Sequence, residues 1–97
     1  MTLEDRYNLY CEAYCGICEM DNYTLKVYVL KEIEILINNF KKEYGKINLD
    51  YDKHMEYVKD NISLRTKLQS SLLLLNEIDG PIELILLIKR RLKEINE

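Results

Sequence analysis

The sequence predicts an all-α fold: a small antiparallel bundle of four helices, or of five if one of them is broken. Of the 97 residues, 47% are hydrophobic, yet only three are glycine and one is proline, so the chain has few places to turn. The apolar residues recur at spacings of three and four, which is the period of an α-helix. Short connections make neighbouring helices antiparallel.

Chain length predicts a single domain over residues 1–97. A compact chain of this size buries roughly 60 to 65% of the surface that its unfolded form exposes, which is enough for one core. Catalytic architectures built on a (β/α)8 barrel or a doubly wound sheet need on the order of 150 to 250 residues and are excluded. The apolar content also excludes a disordered chain.

The first helix is predicted from Leu3 to Cys18. Thr2 followed by Asp5 resembles a capping box, in which side chains satisfy the free N–H groups at a helix start. Its apolar stripe is formed by Leu3, Tyr7, Tyr10, Tyr14 and Ile17.

The second helix is predicted between the caps Asp21 and Asn22 and a stop at Gly45. β-branched residues in 25–30 and 33–37 suggest strands as an alternative. No turn residue separates these two runs, so one helix explains them better. Its main stripe is formed by Leu25, Val29, Ile33, Leu36, Phe40 and Tyr44.

A linker at 46–49 and a cap at Asp50 are predicted to precede the third helix, whose stripe is Tyr51, Met55, Val58 and Ile62. Near Asn61 and Ser63 the stripe changes phase. Either the helix kinks there, or Ser63 caps a new helix. The stripe resumes as Leu64, Leu68, Leu72 and Leu75.

The strongest break in the sequence is Asp79-Gly80-Pro81. Gly80 suits the left-handed conformation that ends a helix, and Pro81 suits the first turn of the next one. Glu83 is favourable near the positive end of that helix. The last helix carries Ile82, Leu84, Ile85, Leu87, Ile88, Leu92 and Ile95.

The second and last helices carry more apolar residues than one buried face requires. Such a helix is either central in its own fold or buries a second face on a partner. The second helix could simply be the central one, but two broad-faced helices favour self-association, with a homodimer expected. The residues predicted for this contact are Val27, Tyr28, Leu30, Ile35, Ile37, Leu84, Leu87 and Ile88.

All three cysteines lie within eight positions, as Cys11, Cys15 and Cys18. With His54 they could form a metal site or a redox sensor, although three thiols on one helix approach a single ion with difficulty. We favour the interpretation that they extend the apolar stripe as small buried side chains. No metal and no cofactor are expected.

Two charged groups are candidate binding surfaces. The basic residues Lys89, Arg90, Arg91 and Lys93 suit the negative end of a helix, and they could contact nucleic acid if Lys41, Lys42 and Lys46 converged on them. A net charge of -3 makes nucleic acid the less favoured partner. The acidic residues Asp50, Asp52, Glu56 and Asp60 suit docking on a basic partner.

These patterns predict a protein that is not an enzyme. His54 has carboxylates nearby but no nucleophile signature or glycine-rich loop beside it. The expected function is that of a protein–protein interaction module, a small inhibitor or regulator of the immunity, antitoxin or phage anti-defence type. Acids at the N-terminus and short apolar runs predict a cytoplasmic protein with no membrane contact. The Ile, Lys, Asn and Tyr bias is typical of a phage or a low-GC bacterium.

Overall fold

The computed structural model describes residues 2–44 and 51–95, and for residues 51 and 52 it describes the backbone alone. Within these ranges the chain is all α, as predicted, and has no strand. Five helices are present, which settles the choice between four and five. They are α1 (Leu3–Cys18), α2 (Tyr23–Glu43), α3 (Tyr51–Asn61), α4 (Leu64–Glu77) and α5 (Ile82–Ile95).

Side-chain caps explain where the first two helices begin. The Thr2 hydroxyl accepts the Asp5 N–H at 3.1 Å, and the Asp5 carboxylate accepts the Thr2 N–H at 3.4 Å, which forms the predicted capping box. Asn22 accepts the Leu25 N–H at 3.2 Å at the start of α2. The predicted stop at Gly45, the linker and the Asp50 cap lie outside the described residues.

The phase change near residue 62 is a break between two helices. The Ser63 hydroxyl accepts the Thr66 N–H at 3.2 Å and caps α4. Ser63 has an extended backbone, with φ -64° and ψ 151°, so it lies outside both helices. Of the two predicted alternatives, a new helix capped by Ser63 is therefore confirmed, and a single kinked helix is wrong.

The turn between α4 and α5 differs from the prediction in detail. Asp79, with φ 51°, is in the left-handed region, and Gly80 is not. The Gly80 N–H donates to the Leu75 carbonyl at 2.8 Å, and a Cβ on Gly80 would lie 2.5 Å from Leu75 Cδ2. A side chain at position 80 would therefore force the buried side chain of Leu75 to shift. Pro81 precedes α5, and its carbonyl accepts the N–H groups of Leu84 and Ile85.

The central helix is α1. It packs on α2, α3 and α4, whereas α5 packs chiefly on α4. This corrects the sequence alternative that placed α2 at the centre. Salt-bridged Arg6 and Glu77 lie at one end of the α1–α4 contact, and Gly16 and Lys67 lie at the other, so these two helices are antiparallel.

Small residues bring α1 and α4 close together. The Ser71 hydroxyl lies 3.0 Å from the Ala13 carbonyl oxygen, and Ser70 donates to Glu12 at 2.6 Å. A Cβ on Gly16 would lie 2.3 Å from Ser71 Oγ and 2.6 Å from the Lys67 carbonyl oxygen. The backbones can approach this closely only because position 16 has no side chain.

No helix in the described part of the chain is long and apolar enough to cross a membrane. The core lies around α1 and is completed by side chains from all four other helices. Its largest fully buried members are Tyr7, Ile17, Ile33, Ile37, Leu68, Leu74, Leu75, Leu84 and Ile88.

Candidate functional site

A groove of about 460 Å³ opens where α1, α3 and α4 meet. Three sulfur-bearing side chains line it, two from the last turns of α1 and one from α3. We call it the sulfur groove. Its lining residues are Tyr14, Cys15, Cys18, Glu19, Met55, Glu56, Lys59 and Lys67.

The cysteines of α1 differ in environment, although all are free thiols. Cys11 is fully buried in the core, Cys15 is 9% exposed, and Cys18 is exposed. The prediction that they extend the apolar stripe therefore holds for Cys11 and Cys15. It is wrong for Cys18, which faces the sulfur groove near the end of α1.

Burial raises the pKa of every thiol on α1. It raises the pKa of Cys11 to about 12, against a smaller lowering by a hydrogen bond to Tyr7. Burial also raises the pKa of Cys15, opposed by Lys67, and that of Cys18, opposed by Lys26. Protonated thiols are poor nucleophiles, so this environment does not favour a reactive redox cysteine at neutral pH.

Lys67 brings a positive charge to the wall of the sulfur groove. It is only 7% exposed, and its Nζ donates to the Lys59 carbonyl at 2.9 Å, in the last turn of α3. A cation at the negative end of a helix is electrostatically favourable. The contact ties α4 to α3 and holds an ammonium group beside Cys15.

His54 lies apart from the sulfur groove. Its ring packs on Tyr7 at 5.2 Å and on Tyr57 at 6.4 Å between centroids, and its Nε2 is buried with no hydrogen-bond partner among the described residues. Cys11 does not line the groove either. No three His, Cys, Asp or Glu side chains in the described ranges are placed to hold one metal ion. The alternative set Cys11, Cys15, Cys18 and His54 is therefore not assembled.

The basic cluster lies on the second half of α5, and all four of its residues are exposed: Lys89, Arg90, Arg91 and Lys93. Arg91 Nη1 lies 3.6 Å from Glu94 Oε2. Arg90 and Arg91 also border a groove of about 240 Å³ with Glu19, Asp21 and Glu94. Carboxylates thus lie beside the arginines, which weakens the attraction of this surface for a phosphate backbone.

Lys41 and Lys42 do not converge on that cluster. They lie at the end of α2, where Phe40 and Glu43 line a groove together with Thr2 and Leu3 at the start of α1. Arg90 and Arg91 lie beside Met20, just past the end of α1. The two basic groups are therefore at opposite ends of α1, and the third predicted contributor, Lys46, lies outside the described residues.

The acidic set is described only in part. Glu56 and Asp60 are exposed on α3, and Glu56 also borders the sulfur groove. Asp50 lies outside the described residues, and Asp52 is described only as backbone within α3.

The predicted self-association surface needs correction. Ile37 is 2% exposed, and Leu84 and Ile88 are fully buried, so all three belong to the core of the chain itself. Half-buried members are Val27, Leu30 and Leu87. Of the predicted set, only Tyr28 and Ile35, each 58% exposed, are open to solvent.

Sequence reasoning missed the exposed apolar residues of α5. Ile82 is 72% exposed and Leu86 is 58% exposed, and with Lys89 and Lys93 they follow one line at spacings of four, three and four. We call these four residues the α5 outer stripe. Its spacing is visible in the sequence, but it was obscured by the stronger buried set on the opposite side of the helix. The stripe is apolar in its first half and basic in its second.

Comparison with known proteins adds no identification. No protein-family model, no curated protein and no solved structure matches the chain. A function can therefore be inferred only from the fold and from the geometry of these surfaces.

Proposed function

We propose that the chain is a non-enzymatic interaction module, a small inhibitor or regulator in the cytoplasm, that binds another protein through the α5 outer stripe. The observation that carries this is the exposure of Ile82 and Leu86, at 72% and 58%. Fully burying one such aliphatic side chain contributes roughly 1.5 to 3 kcal/mol. Two of them one turn apart provide an apolar centre for an interface.

The charges beside this centre indicate the chemistry of the partner. Lys89 and Lys93 continue the line, and Arg90 is exposed next to it. A partner surface with an apolar site next to carboxylates would match both halves of the stripe. Such charge pairing speeds association and selects among partners more than it adds affinity.

Nucleic acid fits this surface less well than protein does. Half of the stripe is aliphatic, and Glu94 and Asp21 lie beside the neighbouring arginines. A nucleic-acid site would instead gather cations along a phosphate backbone, and its affinity would fall steeply with salt.

The proposal can be tested by placing a photo-crosslinking residue at Leu86, with a matched control at Gln69, which is exposed on α4. In cells that express the chain, we expect a distinct protein adduct from position 86 and none from position 69. Charge reversal with K89E and K93E should reduce that adduct strongly. The same adducts from both positions, or an adduct insensitive to charge reversal, would contradict the proposal.

Homodimer formation through α2 is a second candidate. Tyr28 and Ile35 lie two turns apart on the side of α2 opposite its buried residues, and each is 58% exposed. These two exposed side chains still support the predicted self-association, although the buried residues of the predicted set cannot take part in it. Light scattering would show a dimer that Ile35→Lys converts to a monomer, whereas Leu86→Lys would leave it intact.

A further inference from the structure

The sulfur groove brings together a set of ligands that suits a soft metal ion. Cys15 and Cys18 are one turn apart on α1, and Met55 faces them from α3. Thiolate and thioether sulfur prefer soft cations, Cu(I) above all among the common biological ions. We propose that the sulfur groove binds a single Cu(I) ion through the sulfur atoms of Cys15, Cys18 and Met55.

Zinc fits the same groove poorly. A structural zinc site is tetrahedral and needs four nitrogen, sulfur or carboxylate ligands. Among the described residues, no three His, Cys, Asp or Glu side chains are placed around one point. Two thiolates and a thioether fall short of that set, but two or three sulfur ligands from one groove are enough for a soft monovalent ion.

The lining of the groove is balanced in charge, with two lysines and the carboxylates of Glu19 and Glu56. Cu(I) displaces the protons of both thiols, which pass to solvent, and the resulting bis-thiolate complex carries one net negative charge. Lys59 and Lys67 line the groove and offset part of that charge. Cys18 is exposed, so an ion can enter directly from solvent.

The site is separate from the α5 outer stripe, since none of its lining residues belongs to α5. The inference therefore does not depend on the proposed interaction function, and either one can fail without the other. A chain that binds Cu(I) but has no protein partner would support the inference and contradict the proposed function.

The test is an anaerobic titration of the full chain with Cu(I) against a coloured competing chelator. The wild type is expected to remove one equivalent of Cu(I) from the chelator. Cys15→Ser and Cys18→Ser should each weaken Cu(I) binding by more than about 100-fold. That loss is larger than the one expected from changing a residue that only holds a metal ligand in place. Met55→Leu should weaken it roughly 10-fold, the lower end of that range.

Cys11→Ala is the matched control, because Cys11 lies on the same helix but is buried away from the groove. It is expected to bind Cu(I) as the wild type does, with circular dichroism confirming that each variant is folded. Because two protons leave, the affinity should also fall about 100-fold for each pH unit below neutrality.

Three results would overturn the inference. The wild type could fail to compete with the chelator, or Cys11→Ala could lose as much affinity as Cys15→Ser. Alternatively, Zn(II) could bind at Cys15 and Cys18 more tightly than Cu(I) does. Each would show that the three sulfur atoms do not act together as a soft-metal site.

Discussion

Helices α1 and α5 differ in how much of their surface is buried and in which side chains make their contacts. Buried residues surround much of α1, and its close contact with α4 depends on Gly16 and Ala13 rather than on large apolar side chains. In contrast, α5 buries Leu84 and Ile88 on one side and leaves Ile82 and Leu86 open on the other. The central helix is thus marked by small residues, and the helix with excess large apolar residues is peripheral.

The largest expected effect separates the two sides of α5. Leu84→Ala should lower the free energy of unfolding by about 3 kcal/mol, because it leaves a cavity in the core. Leu86→Ala, on the exposed side, should change it by less than about 0.5 kcal/mol. Chemical denaturation of both variants measures the difference. Equal losses would show that α5 is buried on both sides, as in a constitutive dimer.

The next effect tests the close contact at the centre. Gly16→Ala would place a Cβ 2.6 Å from the Lys67 carbonyl oxygen, which belongs to the backbone and cannot swing away. We expect a loss of about 2 kcal/mol from overpacking, which outweighs the gain in helix propensity. Lys31→Ala, on the exposed side of α2, is the control and should leave the denaturation midpoint nearly unchanged. A stabilised Gly16→Ala variant would contradict the α1–α4 geometry.

A pH dependence should distinguish the interior of α1 from the surface. Burial raises the pKa of Cys11 from 9.0 to about 12, so the folded chain holds this proton more tightly than the unfolded chain does. The resulting stability is complete below pH 9 and is lost as the pH rises from there toward 12. At pH 10 the wild type should have lost roughly 1 to 2 kcal/mol more of its stability than Cys11→Ala has. Parallel pH profiles for the two proteins would show that the thiol is accessible to water.

The smallest effect concerns the junction between α3 and α4. Ser63→Ala removes the side-chain acceptor of the Thr66 N–H and should cost about 1 kcal/mol. Ser63→Asp restores an acceptor and should recover most of the loss. Thermal unfolding measures both, since 1 kcal/mol shifts the Tm of a domain of this size by about 4 to 8 °C. An unchanged Tm in Ser63→Ala would favour a continuous, kinked helix.

Helix positions were predictable because their signals are local. Thr2, Asn22 and Ser63 each accept a backbone N–H within three residues, so their capping role is visible in the sequence. The ends of α1 coincide with the predicted ones for the same reason.

The arrangement of the helices was not predictable in the same way. Counting apolar residues favoured self-association through α2 and offered a central α2 as the alternative. Contact between helices instead depends on how closely their backbones approach, which Gly16 and Ser71 decide for α1 and α4. The sulfur groove was also not predictable, because Met55 lines it together with Cys15 and Cys18 only through the packing of α3 on α1. Its one local signal was the i, i+3 spacing of those two cysteines.

The turn held by Asp79 and Gly80 also has a consequence for the order of assembly. It joins α4 to α5 directly, so those two helices can pair at little cost in loop entropy. The bond between Ser71 and Ala13 instead joins residues 58 positions apart. During synthesis α1 leaves the ribosome before the other four helices, yet its main packing partner, α4, is made only after α2 and α3. Helix α1, at the centre of the folded protein, is therefore made early but can complete its packing only after α4 has been made.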